Sequence, residues 1–484
     1  MSRELPHHLL AAIEQLERRL LLAGQPFDIT EVVVPGGIEL RVTGTSSNDR
    51  IDISQTVEGL TLTSGSWSKG YYKNFKSLYI DGAAGNDMII LDPSVTVDAI
   101  LKGGLGNDSL GGGSGHDRLY GGAGTNMLFG ADGDDVLVSV GGANNDKLIG
   151  GAGDDSYWLD ADATETVTDI SAAEAKAGAV HRVSEFTNSK ETETTLKKVK
   201  TVRKVLNKRG KLRRRKVVEL VETTRVIPAT KELIGQNLLD PTITRAASGY
   251  QNFGDRLLFP DGGPALTDIN QGQIGSCYFL AVLSSIAKTN PDFLKQTIVE
   301  LGDGTYAVQF KKAGSNVYVR VDADLPVAGG GGLAYVSFGA QGAIWVALIE
   351  KAWASFRTGA ASYASIDGGW MDESYKSLGM SNSSTMSGTA QTILAGMAAA
   401  LHAGHSVTFA VATPSAGSNL VGYHAYTVDQ VIIGIDGKPT SVRLRNPWGV
   451  DGYTCNDGIN DGYLTVSADQ AAKSLLGYTV GAFF

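Results

Sequence analysis

The chain has 484 residues, a formal net charge of −9 and 61 glycines. This length predicts more than one folded domain, because a single hydrophobic core rarely grows to that size. Two cysteines, Cys277 and Cys455, exclude a disulfide-stabilised scaffold, and no apolar run is long enough to cross a membrane. Cys455 lies in a polar stretch and is interpreted as an incidental thiol.

Residues 1–26 are predicted to form an amphipathic N-terminal or sorting segment. Two leucine-rich stretches, at 9–13 and 20–24, are separated by charged residues. The segment therefore lacks the continuous apolar centre of a signal peptide. The string LERRLLL at 16–22 resembles a short N-terminal motif of some bacterial proteins that carry exported repeat domains.

From Gly103 the chain repeats with a nine-residue period. The units are GGLGNDSLG, GGSGHDRLY, GGAGTNMLF and GADGDDVLV, then SVGGANNDKLI with a two-residue slip, and GGAGDDSYW. An aspartate at the sixth place is followed two residues later by an apolar side chain. Glycine permits left-handed turns, carboxylates are ligands that calcium prefers, and short apolar strands can stack inward. The aspartates are Asp108, Asp117, Asp135, Asp146 and Asp155, and the apolar residues are Leu110, Leu119, Leu137, Leu148 and Tyr157.

This pattern resembles the RTX nonapeptide repeat, which implies a parallel β-roll, placed here at residues 27–165, with calcium as its ion. A flexible glycine-rich linker is the alternative, and the fixed period argues against it. If each unit forms half a coil, Asp117, Asp135 and Asp155 share one edge. Asp108, Asn126 and Asp146 then share the other edge, where the neutral Asn126 should weaken calcium binding. Two earlier fragments with the same spacing, ending at Asp49 and Asp87, predict that the stack begins before the repeats.

Calcium is abundant outside cells and suits weak repeat sites. The repeats therefore favour an extracellular or cell-surface location in a bacterium, reached by a route that the sequence does not identify.

A basic segment lies between the two halves, within residues 166–245. Residues 197–216 hold 12 basic side chains and no acidic one. Alternating apolar residues before the glycine at 210 predict a β-hairpin. Three interpretations remain open: a solvated linker, a polyanion- or nucleic-acid-binding patch, and an inhibitory or cleavable pro-segment. The run contains no aromatic residue, so nucleic acid is not an expected partner.

Cys277 follows the string QGQIGS and precedes apolar residues at helical spacing, which end near Asn290-Pro291. The sequence therefore predicts Cys277 at a helix N-terminus, where the macrodipole and free N–H groups stabilise an anion. Catalysis by a cysteine requires the thiolate. The Gln271 side-chain amide and the Cys277 main-chain N–H are candidate donors to an oxyanion.

Two later segments supply a histidine and an asparagine. His424 lies in GYHAY and Asn446 in RNPWG. Neither residue alone indicates catalysis. A histidine in a strand is usually structural, and the Asn-Pro-Trp-Gly string by itself is usually a turn with a core tryptophan. In this order after Cys277, they are the residues that a thiol hydrolase needs. His424 would act as acid and base, and Asn446 would orient its ring.

The strings QGQIGSCYFLA, HAYTV and RNPWG resemble the motifs of the calpain family of papain-like cysteine proteases. VDADLP at 321–326 and WVALIEKA at 345–352 also resemble calpain core segments. The resemblance implies an α+β, two-lobed protease domain over residues 246–484. A helical lobe would carry Cys277, and a β-rich lobe would carry His424 and Asn446. Calpains usually have aspartate, tryptophan and glycine where this chain has, in order, Ser276, Tyr278 and Tyr423.

Calpain cores also bind one calcium ion in each lobe. Asp268 matches a ligand of the first lobe, whereas Ala343 and Gly452 stand where acidic ligands are expected. Calcium control inside the protease domain is therefore not favoured, and the repeats are the better calcium sites.

The sequence as a whole predicts a calcium-dependent cysteine endopeptidase that cleaves protein or peptide substrates through a thioester on Cys277. The alternative is a calcium-dependent surface adhesin or structural protein with an inactive calpain-like domain. The sequence does not fix the substrate preference or the oligomeric state.

Overall fold

The computed structural model describes residues 26–141, 145–161, 164–187, 190–206, 212–228, 238–452 and 458–483. Two compact units are present: one ends at Ser184, and the other begins at Glu185. The predicted sorting segment, apart from Pro26, and Cys455 lie outside the described residues. No helix within the described ranges is long and apolar enough to cross a membrane.

The described part of the N-terminal unit is built from short strands and the helix α1 (Ala172–Ala177). Its strands are β1 (Asp28–Val34), β2 (Gly37–Thr43), β3 (Arg50–Thr56), β4 (Gly59–Ser64), β5 (Trp67–Tyr71), β6 (Ser77–Asp81), β7 (Met88–Leu91), β8 (Asp98–Leu105), β9 (Ser109–Gly111), β10 (Arg118–Ala123), β11 (Met127–Asp132), β12 (Val136–Val138), β13 (Lys147–Ala152), β14 (Ser156–Asp160), β15 (Thr166–Val167) and β16 (Val180–Val183).

These strands form two eight-stranded sheets, in the orders β1-β2-β6-β8-β10-β12-β14-β16 and β15-β13-β11-β9-β7-β3-β4-β5. From β6 onward, successive strands alternate between the sheets, and neighbours within each sheet are parallel. Leu119 pairs with Leu101 and Leu137, each 18 residues away, so two nine-residue units make one coil. The predicted parallel β-roll and its half-coil repeat are confirmed.

Leucines from both sheets fill the interior of the roll. Glycine is required where the coils approach most closely: Gly106 has a φ of +134°, and a Cβ atom there would lie 1.7 Å from the Gly85 oxygen. The core leucines are at most 2% exposed, and they include Leu101, Leu110, Leu119, Leu128, Leu137 and Leu148.

The roll extends beyond the repeats at both ends. The parallel pairs β2–β6 and β3–β7 precede Gly103, as the fragments ending at Asp49 and Asp87 predicted. At the other end, β16 adds a parallel strand to β14, so the last coil reaches Val183 and passes residue 165.

The basic segment contains a long antiparallel hairpin. Its strands are β17 (Lys190–Leu206) and β18 (Leu212–Pro228), paired from Lys190 opposite Pro228 to Leu206 opposite Leu212. The structure therefore agrees with the predicted hairpin, whose turn lies outside the described residues.

The rest of the C-terminal unit has the mixed α/β composition expected of the two-lobed domain. Its helices are α2 (Cys277–Thr289), α3 (Pro291–Lys295), α4 (Trp345–Phe356), α5 (Met371–Ser377), α6 (Ala390–His402) and α7 (Ala468–Ser474). Its strands are β19 (Gly249–Asn252), β20 (Ile298–Glu300), β21 (Thr305–Lys312), β22 (Ser315–Asp322), β23 (Asp324–Val327), β24 (Ser381–Thr385), β25 (Ser406–Val411), β26 (His424–Ile433), β27 (Pro439–Arg445), β28 (Tyr463–Ser467) and β29 (Leu475–Ala482).

Two hydrophobic clusters define the lobes. The first surrounds α2 and α4, whose side chains are almost all buried. The second lies in the six-stranded sheet β24-β29-β25-β26-β27-β28, against α6 and α7. α2 ends at Asn290, as predicted, because this residue caps α3 by accepting the Phe293 N–H, at 3.1 Å.

Polar bonds attach α2 to the six-stranded sheet. The Ser285 hydroxyl accepts the N–H of Val407 in β25, at 2.8 Å. The Thr427 hydroxyl in β26 donates to the Ala281 carbonyl in α2, at 2.9 Å. These bonds are buried, where an unpaired polar group would be costly. They set the start of β26, and therefore His424, beside the start of α2.

Candidate active site

Cys277 is the first residue of α2, and its partly exposed side chain opens on a cavity of about 390 Å³. His424 and Tyr423 line this cavity from the β-rich lobe. Gly275, Asp367 and Trp370 are among its lining residues from the helical lobe. The cleft between the lobes therefore contains both the thiol and the imidazole that the sequence singled out.

His424 is the first residue of β26 and is 6% exposed. Its Nε2 atom lies 2.8 Å from Oδ1 of Asn446, which is fully buried just after β27. The same Oδ1 accepts the Trp448 N–H at 3.0 Å, and the Trp448 ring lies 4.8 Å from the imidazole. Because Oδ1 is an acceptor, Nε2 carries the proton, and Nδ1 is left as the basic nitrogen.

Burial is the largest cause of the pKa shifts of Cys277 and His424. It raises the pKa of the Cys277 thiol, an effect that hydrogen bonds from the N–H groups of Ala425, Tyr278 and Cys277 only partly offset. Burial also lowers the pKa of His424 to about 4, against a rise from the bond to Asn446. Burial therefore favours the neutral form of each of the two side chains. The helix N-terminus acts in the expected direction, but desolvation outweighs it.

Gln271 lies near the site without lining the cavity. Its side-chain Nε2 donates to the Ile274 carbonyl at 2.5 Å, and its main-chain N–H donates to the Pro447 carbonyl at 2.6 Å. The second bond ties the loop before α2 to the turn that carries Asn446. The structure thus brings Cys277, His424 and Asn446 together, whereas one amide hydrogen of Gln271 is already engaged within its own loop.

Two features of the site, the contact of Asp367 and the exposed Trp370, were not found in the sequence, and Tyr423 was singled out there only as a departure from the calpain motif. Oδ1 of Asp367 accepts the Gly275 N–H at 2.9 Å and so braces the loop before Cys277. Trp370 is 55% exposed at the cavity, and Tyr423 is 83% exposed with a φ of +51°. The only available signal was the string DGGW at 367–370, where two glycines precede an exposed aromatic residue.

A second set of sites lies along the β-roll, where the repeat aspartates form two ladders. In each rung Oδ1 accepts an N–H from the preceding coil: Asp87 N–H bonds to Asp108, and Asp108 N–H bonds to Asn126. On the other edge, Asp117 N–H bonds to Asp135, and Asp135 N–H bonds to Asp155. The two edges therefore group the repeat residues as the half-coil hypothesis predicted.

The second oxygen of several rungs remains free to bind a cation. Within the described residues, Oδ2 of Asp108, Asp135 and Asp146 is buried without a hydrogen-bond partner. At Gly103 a Cβ atom would lie 2.4 Å from Asp108 Oδ2 and 2.6 Å from the Gly121 carbonyl oxygen, so these two oxygens face a common space. Carboxylate and carbonyl oxygens are the ligands of calcium, and the site fits this ion.

Asp117 differs because its Oδ2 accepts the Gly113 N–H at 2.7 Å. At Gly150 a Cβ atom would lie 2.0 Å from Asp155 Oδ2 and 2.2 Å from the Tyr157 hydroxyl oxygen. In this rung the tyrosine hydroxyl therefore occupies the position that a carbonyl oxygen has beside Asp108. In the described parts of the chain, no three acidic, histidine or cysteine side chains converge on one point. A bound ion would therefore draw on main-chain carbonyls as well as on carboxylates.

Comparison with known proteins agrees with this geometry. Residues 247–461 match the calpain family cysteine protease model, and residues 102–137 and 138–163 match the RTX calcium-binding nonapeptide repeat. The chain carries a calpain-type domain behind RTX repeats. Calcium is the ion that such repeats bind.

Relatives match the calpain-type domain. Human calpain-8 is 30% identical over 205 residues, which are 39% of this chain and 28% of that protein. Calpain clp-1 of Caenorhabditis elegans is 26% identical over 39% of this chain and 25% of its own length. The calpain-type cysteine protease ADL1 of Oryza sativa subsp. japonica is 31% identical over 38% of this chain and 9% of its own length. The chain thus spans only about a quarter, or less, of these relatives.

The predicted calcium ligand of the calpain-type domain has protein partners. Asp268 is fully buried; its Oδ1 accepts the Ala340 N–H, and its Oδ2 accepts the Ala265 N–H and the Trp345 indole N–H, all within 3.0 Å. A role for Asp268 in calcium binding stays a prediction, and its bonds favour a role in holding the loop before α4. Ala343 and Gly452 add no carboxylate, as the sequence indicated.

Proposed function

We propose that this protein is a calcium-dependent cysteine endopeptidase, with Cys277 as nucleophile, His424 as acid and base, and Asn446 as the residue that orients the imidazole. The observation that carries the proposal is the 2.8 Å bond from His424 to the buried Asn446, with His424 and Cys277 lining the same cavity. This bond leaves the basic nitrogen of the imidazole free for the thiol. The coarser statement, a calpain-type cysteine protease domain joined to calcium-binding repeats, rests on the family matches.

In the proposed reaction a peptide lies in the cleft with its scissile carbonyl beside the sulfur. Nδ1 of His424 takes the thiol proton as the sulfur attacks the carbonyl carbon. The tetrahedral intermediate collapses when the imidazolium gives this proton to the leaving amine, and a thioester remains on Cys277. A water molecule, deprotonated by the same nitrogen, attacks the thioester and releases the acid product and the thiol.

The negative charge on the substrate oxygen needs hydrogen-bond donors. The Cys277 N–H lies in the first turn of α2, where it has no main-chain carbonyl partner within the helix. Gln271 carries two amide hydrogens, of which one bonds to Ile274. The second hydrogen is the proposed donor, so Gln271 can serve the oxyanion without breaking the existing bond.

Calcium is proposed to act through the β-roll. The carboxylates of Asp108, Asp135 and Asp146 are the first candidates to hold the ions, because each has a buried oxygen without a partner in the described residues. Asp117 and Asp155 are proposed with them. A bound calcium ion neutralises buried carboxylates and so stabilises the folded roll. Calcium outside cells suits such sites, and we place the protein there.

Labelling of the thiol tests the proposal. The full-length protein is incubated with an epoxide thiol inhibitor in calcium, and the labelled residue is mapped by mass spectrometry. We expect one label on Cys277, none on the Cys277→Ala variant, and peptide hydrolysis that rises with calcium concentration. Cys455 is an internal control, because label on both cysteines would reflect general thiol reactivity.

A wild-type protein that takes no label and cleaves no peptide at any calcium concentration would contradict the proposal. That result would favour the surface adhesin or structural protein with an inactive domain. Circular dichroism of the same samples confirms that the protein is folded in each measurement.

A further inference from the structure

The ladder that contains Asp108 continues into coils that precede the matched repeats. The Asp49 N–H donates to Oδ1 of Asp87, and the Asp87 N–H donates to Oδ1 of Asp108, both at 2.8 Å. The repeat match begins only at residue 102. Two carboxylates therefore occupy the same geometric position as the repeat aspartates without belonging to the repeats.

The first of these rungs is closed. Oδ2 of Asp49 accepts both the main-chain N–H and the hydroxyl of Thr45, at 2.6 and 2.9 Å. This carboxylate is satisfied by the protein, and Asp49 therefore ends the ladder as a cap.

Asp87 is open. Its side chain is 2% exposed, and its Oδ2 has no hydrogen-bond partner among the described residues. At Gly82 a Cβ atom would lie 2.5 Å from this oxygen and 2.7 Å from the Gly103 carbonyl oxygen. This arrangement repeats the one at Gly103, where Asp108 Oδ2 faces the Gly121 carbonyl. Burial raises the pKa of Asp87, and the nearby carboxylates of Asp49 and Asp81 add negative charge that a cation would offset.

Asn126 shows what a rung without a cation looks like. Its Oδ1 accepts the Asp108 N–H at 2.9 Å, so Nδ2 occupies the position of the free carboxylate oxygen. At Gly121 a Cβ atom would lie 2.9 Å from this nitrogen. Nδ2 donates to the carbonyls of Gly122 and Gly124 at 3.3 and 3.5 Å. The Asn126 amide thus gives these carbonyl oxygens a hydrogen-bond donor in the position where a cation would bind in the other rungs.

We infer that Asp87 holds a calcium ion with main-chain carbonyls of the neighbouring coil, upstream of the repeats, and that Asn126 is a cation-free rung in the same ladder. The edge is then interrupted: Asp87 and Asp108 bind on one side of Asn126, and Asp146 binds on the other. The number of ions on this edge follows from the identity of the side chain at each rung.

Calcium stoichiometry tests the inference directly. Equilibrium dialysis of the full-length protein against calcium gives the number of ions bound to wild type, Asp87→Asn and Asn126→Asp. We expect Asp87→Asn to lose at least one ion and Asn126→Asp to gain at least one. Asparagine at 87 keeps the acceptor for the Asp49 N–H, and Asn126 shows that the fold accepts this residue in a rung.

Asp52→Asn is the matched control, because Asp52 lies in β3 of the same unit and pairs with Arg50 at 2.7 Å. It should bind as many ions as wild type. An Asp87→Asn variant that is folded by circular dichroism and keeps the wild-type number would overturn the site. An unchanged number in Asn126→Asp would overturn the cation-free rung. These counts do not depend on peptidase activity, so they stand even if the proposed function fails.

Discussion

The two units of this protein place their chemistry in opposite ways. From Asp87 onward, the residues that meet in a ladder of the β-roll are 18 to 21 positions apart, and the same bond recurs from coil to coil. In the calpain-type domain, bonds that fix the cleft join residues as distant as Ala281 and Thr427, 146 positions apart. A local, periodic site can be deduced from spacing alone. A site built from distant segments can be identified by its residue types, but its electrostatics depend on packing.

The strongest test of this comparison removes the proposed nucleophile. Cys277→Ala should reduce peptide turnover by about 10⁵-fold, because alanine has no thiol to form the proposed thioester. Calcium binding by the β-roll should be unchanged, since the two chemistries use different residues. Turnover and equilibrium dialysis on the same preparation measure both, and residual turnover near the wild-type rate would contradict the assignment.

Asn446→Ala tests the orientation of the imidazole. The His424 Nε2–H and the Trp448 N–H both lose their buried acceptor, so kcat should fall by about 10²-fold with a smaller change in KM. Stability should fall by about 1–3 kcal/mol. Asn382→Ala is the matched control, because Asn382 is exposed in β24 and its side-chain amide donates to the Asp372 carbonyl at 3.2 Å. Equal losses in both variants would indicate a general structural effect.

The β-roll should lose stability as pH rises when calcium is absent. Burial raises the pKa of Asp135 to about 8 and those of Asp146 and Asp155 to about 7. An unfolded chain has already lost these protons near pH 3.9. The free energy of unfolding therefore falls from about pH 4 up to the folded pKa, by at most about 1.4 kcal/mol per pH unit for each group.

Thermal unfolding in a chelator, measured between about pH 5 and pH 9, checks this slope. Saturating calcium is the control, because bound ions replace the protons and should flatten the profile. A calcium-free roll that gains stability toward pH 9 would contradict the raised pKa values.

Titration of Glu350 should make the stability of the calpain-type domain depend on pH, with a smaller effect than in the β-roll. It is 1% exposed, and its Oε1 accepts the Ser276 hydroxyl at 2.7 Å, one residue before Cys277. Burial raises its pKa to about 7, so wild-type stability falls as pH rises from about 4.5 to 7. Glu350→Gln keeps the acceptor and removes the titration, and it should be about 3 kcal/mol more stable than wild type at pH 8.

Turnover separates this effect from a loss of packing. Glu350→Gln should retain activity within about threefold, whereas Glu350→Leu leaves the buried Ser276 hydroxyl unpaired and should lose about 1–3 kcal/mol. If glutamine and leucine behave alike in urea unfolding, the bond to Ser276 does not matter.

The smallest expected effect is at Tyr423. This residue has a φ of +51° where calpains usually have glycine, and left-handed backbone costs a non-glycine residue about 1 kcal/mol. Tyr423→Gly should therefore stabilise the calpain-type domain by about that amount in urea unfolding. Tyr72→Gly is the matched control: Tyr72 is 80% exposed and has no such φ, so glycine should give no gain there.

Much of the fold could be predicted because local patterns determine it. The nine-residue period placed the inward leucines, separated Asp117 from Asp108, and singled out Asn126 as the neutral rung. Asn290-Pro291 ended α2 because one residue caps the next helix. The extension of the roll to Val183 could not be predicted, since β16 carries none of the glycines or aspartates of the repeat.

For the candidate site, the sequence predicted which side chains would lie together, but it did not predict their electrostatics. Residue types and chain order pointed to Cys277, His424 and Asn446, which the structure brings together. Their protonation could not be read from the sequence, because it follows from burial between two lobes. The bond from Gly275 to Asp367 spans 92 positions, and the Gln271 amide turns to Ile274, three residues away. Neither contact has a periodic or compositional signal.

The ladder bonds of the β-roll all run in the same direction along the chain. Each coil finds the acceptor for its aspartate N–H in the coil that follows it, and the Asp155 N–H finds its acceptor on Glu174 of α1, at 3.0 Å. Ser171 and Glu174 hold α1 in a reciprocal capping box. This short helix therefore supplies the last acceptor of that ladder, the Glu174 carboxylate. Without this helix the Asp155 N–H would lose its carboxylate acceptor, and the ladder of Asp117, Asp135 and Asp155 would end in an unpaired donor.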